Sequence, residues 1–230
     1  MARVTEIAAL LADTTIPPGH VDGLLSEAST LWLLSAPAAL LASDVALCYP
    51  LLQPREVRAV VFPLDGGGHR LTVVAHDRRG LLADTAAVLA AEGLSIANAS
   101  VATWARLDIA LHAVIVPAGG KPPMWPDLGT RLRALTADTA PSVKFEPEGQ
   151  AVVTSSADAG DHRLVTLSAP DQVGLLWATC RWLADRGVNI QSARVGGQDG
   201  FAEAHFLVVG DADFDALATH LSAVAPTERR

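Results

Sequence analysis

The chain is short of cysteine, of aromatic residues and of positive charge, and each shortage closes off a class of function. Only two cysteines occur in 230 residues, Cys48 and Cys180, in unrelated apolar contexts and without C-x-x-C spacing. A disulfide framework and a thiolate metal site are thereby excluded, and two buried thiols in a reducing compartment are expected. Basic residues number 17 against 25 acidic ones, a formal charge of −8. A phosphate backbone would meet a repulsive field, so nucleic acid is not an expected partner. No long apolar run exists either: Leu31 to Ala42 is interrupted by Ser35 and Pro37 and stops at Asp44, too short to span a bilayer. The first residues, Met1 to Pro18, carry Arg3, Glu6 and Asp13 and lack the apolar core of a signal peptide, so no membrane partner and a cytoplasmic location are expected.

Several catalytic signatures are missing as well. There is no G-x-x-x-x-G-K-[ST], and Asp65-Gly66-Gly67-Gly68 is followed by a strand pattern, so it reads as a turn rather than a phosphate loop. His76-Asp77 hints at a metal-dependent phosphohydrolase, but His20, His69, His112, His162, His205 and His220 show no metal spacing. A strand-end residue beside a turn is the better account of His76. The Gly-Ser and paired carboxylates of a nucleotidyltransferase are also absent. No catalytic residue, no metal ligand and no cofactor is assigned.

What is present is a duplication. The stretch Leu71 to Val101 recurs from Val165 to Val195: Asp77 and Asp171, Gly80 and Gly174, Gly93 and Gly187, Ile96 and Ile190 all stand 94 positions apart. In each copy a strand leads into Asp-x-x-Gly-Leu-Leu, an amphipathic helix, a helix-terminal glycine and a second strand. The first copy continues with a strand to Val116, a Pro/Gly loop, a helix near Asp127 to Leu135 and a brief apolar stretch Val143-Lys144-Phe145, giving βαββαβ. Leading strands precede both copies, Ala59 to Phe62 and Ala151 to Ser155. No last strand is visible after Ala225, so the strand from Ala151 is expected to fill that vacant edge beside Leu164 to Ser168. Ahead of the repeat, apolar residues at three-and-four spacing predict helices near 3 to 12, 20 to 34 and 37 to 49. With 50% apolar residues the chain is rich enough for a full core. The expected division is 1–55 helical, 56–147 first copy and 148–230 second copy.

The doubled Asp-x-x-Gly-Leu-Leu turn, with a further Gly and an x-Ile strand after it, resembles the ACT domain, a small ligand-binding regulatory module. The pair is similar to the two ACT domains at the C-terminus of bacterial PII uridylyltransferase/uridylyl-removing enzymes. The resemblance implies an α+β fold, two ferredoxin-like (βαββαβ) ACT domains in tandem with sheets joined side by side, preceded by a short helical segment. It also implies a non-catalytic regulatory or sensor function, with a small amino acid, glutamine above all, held between the turn of one copy and the second strand of the other. Alternatives are an interaction or homodimerisation module without ligand, and a residual uridylyltransferase-type enzyme. A protein partner for the helical segment is a further expectation. An RNA-binding sheet is disfavoured by the absence of aromatics from Leu107 to Val116.

Physical reasoning gives the turn a job independently of the name. A glycine there lets the backbone approach closely, and the new helix offers free amides and a positive dipole end to a carboxylate. The candidate ligand-binding residues are His76, Asp77, Arg78, Gly80, Leu81, Leu82 and Ser95 in the first copy, and Asp171, Gln172, Val173, Gly174, Leu175, Leu176, Asn189 and Gln191 in the second. Asp77 and Asp171 either cap their helices or accept an ammonium. Asn189 matches the family's ligand-contacting asparagine, where the first copy has Ser95; it is otherwise a solvated edge residue. The second copy is therefore expected to be the working site. Trp177 and Trp182 replace Ala83 and Val88 and are expected in the core or against the N-terminal helices.

Overall fold

A computed structural model describes residues 2–118, 125–135, 140–158 and 160–223. Four helices come first: α1 (Ala2–Leu11), α2 (Pro18–Ser26), α3 (Thr30–Leu33) and α4 (Ala38–Leu47). The single helix expected over 20 to 34 is two, because Ser29 leaves the helix and caps α3, its hydroxyl accepting from the Trp32 amide at 3.2 Å. The duplicated region follows as β1 (Val57–Pro63), β2 (His69–His76), α5 (Leu81–Ala91), β3 (Asn98–Trp104), β4 (Ile109–Val116) and α6 (Trp125–Arg133). Its repeat is β5 (Val152–Ala157), β6 (His162–Pro170), α7 (Leu175–Asp185), β7 (Asn189–Gln198), β8 (Phe201–Val209) and α8 (Phe214–His220). Among the described residues no helix is long and apolar enough to cross a membrane.

All eight strands form one antiparallel sheet in the order β1-β2-β4-β3-β7-β8-β6-β5. Read outward from the β3–β7 junction, both halves have the same order. The halves are joined where Ala99 pairs with Val195 and Ala102 with Ser192. The architecture is α+β, two ferredoxin-like halves in tandem behind a helical segment. In both halves the leading strand occupies the edge beside the first strand of the copy: β1 pairs with β2, and β5 pairs with β6 with Val152 opposite Ser168. The stretch Val143-Lys144-Phe145 is accordingly no strand. With β1 already hydrogen-bonded along β2, the place beside β2 is taken, and that segment packs Val143 and Phe145 against Gly174 instead. A last strand after Ala225 lies outside the described residues.

Strand alternation sends Leu71, Val73 and Ala75 to one face and Arg70, Thr72 and Val74 to the other. On the first face α5 and α7 pack side by side, flanked by apolar residues of α6 and α8, over a core that includes Leu89, Val114, Leu167, Leu183 and Phe206. On the second face α1–α4 cover mainly the first half, burying Val74, Ala102, Trp104, Ile109, Leu111 and Ala113, and reach the junction strand β7, where the Ser29 and Ser192 hydroxyls are bonded at 2.7 Å. Trp104 sits edge-on to Trp32 and donates its indole N–H to Leu24 O at 2.6 Å. The layer is pinned by a buried bidentate pair, Arg70 to Asp44 at 2.7 and 2.6 Å, with Thr72 completing the group. Trp182 belongs to the main core and Trp177 packs at its margin, on the opposite side of the sheet from the N-terminal helices, so those helices do not explain the tryptophans.

Candidate functional site

Because β3 and β7 run antiparallel, the turn of each copy meets the other copy's helix end and strand start. The first turn, Asp77 to Gly80, faces Ala184, Val188, Asn189 and Ile190. The second, Asp171 to Gly174, faces Ala90, Leu94 and Ile96. Asn189 thus lies beside the first turn, so this cleft is formed by the turn of one copy and the second strand of the other. Both turns need their glycine: Gly80 has φ 82° and Gly174 φ 92°, conformations costly for residues with a Cβ. The capping role for the aspartates is not realised, since Gly80 and Gly174 hold the N-cap positions without side-chain caps.

The first cleft is lined by polar and charged side chains as well as apolar ones. Arg78 Nη1 bonds Asp84 Oδ2 at 2.6 Å, and the Asp84 side chain is 5% exposed. Thr85 Oγ1 donates to Leu81 O at 3.0 Å, so toward His112 Nδ1, also at 3.0 Å, it acts as acceptor. His112 therefore carries its proton on Nδ1. Burial, aided by the Arg78 charge, drops the His112 pKa to about 3 and keeps the ring neutral. Asp77 is raised chiefly by burial and secondarily by Asp108, while a hydrogen bond with the Asn189 side chain opposes the rise. Of the four buried side-chain polar atoms without a partner among the described residues, two, Arg78 Nη2 and Thr103 Oγ1, belong to residues that line this cleft; the others, His20 Nε2 and Trp32 Nε1, do not. Its cavity is about 20 Å³, space for about one water.

The second cleft has the same frame and different chemistry. By register, Ala204 stands where the first has His112, opposite Leu167 as His112 is opposite Val73. By the repeat, Gly197 replaces Thr103, Ala178 replaces Asp84 and Gln172 replaces Arg78. Thr179 keeps the hydroxyl bond to Leu175 O at 2.9 Å. Val195, Phe206 and Trp177 make the lining apolar, Val143 and Phe145 lie over Gly174, and the cavity is about 30 Å³. Asp171 is raised by burial.

Of the candidates from sequence, Asp77, Arg78, Gly80, Leu81, Leu82 and Asn189 come together in the first cleft. Asp171, Gln172, Val173, Gly174, Leu175 and Leu176 come together in the second. His76 lies outside both, bonded to Asp108 at 2.9 Å and to the Gln53 carbonyl at 3.2 Å. Ser95 and Gln191 line neither, Gln191 falling in the bulge between Ile190 and Ser192. Thr85, Asp84, Thr103 and His112 were missed; their signal was that each is polar in the first copy, and all but Thr85 become apolar or glycine in the second.

Comparison with known proteins finds partial likenesses. The structure of aspartate kinase from Synechocystis aligns with 67% of this chain and 26% of its own, at 14% identity and a TM-score of 0.41. The bifunctional uridylyltransferase/uridylyl-removing enzyme of Burkholderia thailandensis is 28% identical over 211 residues, 84% of this chain, and that of Burkholderia mallei is equally similar. The chain spans about a quarter of the length of these relatives, 24%. Residues 163–226, the second copy, match the family model of the ACT domain.

Proposed function

We propose that the chain is a non-catalytic regulatory protein that binds a small amino acid in its first cleft. The observation that carries this is the pair of buried, unpartnered polar atoms, Arg78 Nη2 and Thr103 Oγ1, in a cleft walled by both copies. Leaving such atoms unsatisfied costs about 1–3 kcal/mol each, so a ligand that supplies acceptors is favoured there. A zwitterion suits the charges: its carboxylate on Arg78 and the turn amides, its ammonium on Asp77 and the Asn189 carbonyl. The turn and the end of α7 must part to admit it, because the cavity is about 20 Å³. In this reading residues 1–55 form the segment that senses or transmits occupancy, 56–147 and 148–230 the two binding units, and glutamine is the ligand to try first.

A nucleophilic reading fits less well. Cys180 and His112 both line the first cleft, yet burial pushes the thiol far up and holds the imidazole neutral, so the thiolate that attack requires is not formed. The interaction-module reading draws on a specific observation, the small size of both cavities. The deciding experiment is a thermal-shift screen of the twenty amino acids with the full chain. One of them should raise the melting temperature, and Asn189→Ala should diminish that shift while Ser95→Ala leaves it. If no amino acid shifts the transition at millimolar concentration, the module reading takes precedence.

A further inference from the structure

A space far larger than either cleft lies beside the first turn. On the outer side of the first turn, between that turn and the connector that follows α4, a cavity of about 770 Å³ opens. That lies within the several-hundred-Å³ range of small-molecule sites, whereas the clefts hold roughly a water or two. Its floor is apolar, made by Leu52, Val57, Leu81 and Leu135, and Arg55 and Arg78 stand in its wall. Arg78 and Leu81 also line the first cleft, so the turn is a partition between a small inner space and a large outer one.

Of the charged groups in this cavity, the one without an ion-pair partner among the described residues is the Arg55 guanidinium. Its acidic groups are engaged: Glu56 accepts from Arg58 Nε and from the Gln53 amide, each at 2.7 Å, and Asp108 is bonded to His76. Asp84, behind the partition, takes Arg78 Nη1. Arg55 is exposed and has no ion-pair partner among the described residues. Arg55 is also held at φ 65°, a left-handed backbone that fixes where the connector turns beneath the cavity. Guanidinium donors over an apolar floor are the complement of a carboxylate or phosphate carried on an apolar body.

We infer that this outer cavity is a second ligand site, taking a small organic anion and separate from the amino-acid cleft. A ligand there touches the connector and the first turn at once, so it ties the helical segment to the first copy. The test is calorimetric titration of the full chain with phenyl phosphate, benzoate and the neutral benzyl alcohol. At least one anion should bind at millimolar concentration or better and benzyl alcohol much more weakly. Arg55→Gln should weaken the anion about tenfold, as loss of a charge-assisted contact does. Arg55→Glu should abolish binding, and Asn189→Ala should leave it unchanged. The amino-acid cleft has the opposite dependence, on Asn189 and not Arg55, so either site can fail without the other. The inference is overturned if neither anion binds, if benzyl alcohol binds as tightly as the anions, or if Arg55→Glu leaves their affinity intact.

Discussion

The two halves of the sheet share strand order, helix placement and the left-handed glycine that starts each helix, and they differ on both faces. Toward the helices, the first half carries Asp84, Thr103 and His112 where the second carries Ala178, Gly197 and Ala204. On the opposite face the trend reverses. The first half presents Val74, Trp104 and Leu111 to the helical segment, and the second presents Ser168, Gln198 and Glu203 to solvent. Duplication has kept the backbone solution and let each face specialise. The half that docks α1–α4 holds the polar cleft, and the half with a wetted face holds the apolar one.

Exchanging residues between halves breaks the comparison where burial is deepest. Trp104→Gln, the second half's residue in the first half's place, should cost the most, about 5 kcal/mol. It removes a fully buried indole and its bond to Leu24 O, and it leaves an amide among Trp32, Ile109 and Leu111. Urea denaturation would measure the loss, and a cost below about 1 kcal/mol would mean that the helical layer is loosely held.

Arg70→Leu, again the second half's residue since Leu164 stands there, comes next at about 4 kcal/mol, because it strands Asp44 without its cation in a site that is 0% exposed. Pairing it with Asp44→Leu should recover most of that loss. The double variant is the sharper test, separating the penalty of an unpaired charge from the value of the ion pair.

The polar cleft is probed by His112→Ala, at about 2–3 kcal/mol near neutral pH, through lost packing and the lost bond from His112 Nδ1 to the Thr85 hydroxyl, which keeps its bond to Leu81 O. The pH dependence is more diagnostic. The imidazole titrates near 6.5 when unfolded and near 3 when folded. Between those values the unfolded chain binds the extra proton, and stability falls as pH falls by up to about 1.4 kcal/mol per pH unit. Asp44, Asp77 and Asp171 act in the opposite sense, because their raised folded pKa values favour the folded state as pH drops toward 3.8. The difference between wild type and variant isolates the histidine. An unchanged slope would show that His112 is solvated in the folded protein.

Much of this frame was legible in the residues. The repeat spacing located both turns, both helices and the junction strands, and the pairing of β5 with β6 followed from the missing last strand. Local pattern failed where a choice depended on which edge was already taken: Val143-Lys144-Phe145 has strand composition, and β1 had occupied its place. Across the junction, antiparallel joining brings Asn189 of the second copy beside the first turn. The polar cluster was hidden because Thr85, Thr103 and His112 lie on three different elements and converge only in the folded sheet.

The smallest effect is expected from the reverse exchange, Gln198→Trp, and it tests the wetted face most directly. Gln198 lies on the uncovered face beside Phe201, which is 51% exposed, with no helix among the described residues packed above either. A tryptophan there gains only a cross-strand contact with Phe201 and leaves most of its surface in water, so the change in stability should stay within about 0.5 kcal/mol. Thermal and urea unfolding of the variant would check this. A loss of several kcal/mol would mean that the second half's outer face is packed against another surface in solution, and the asymmetry between the halves would then be one of partner and not of exposure.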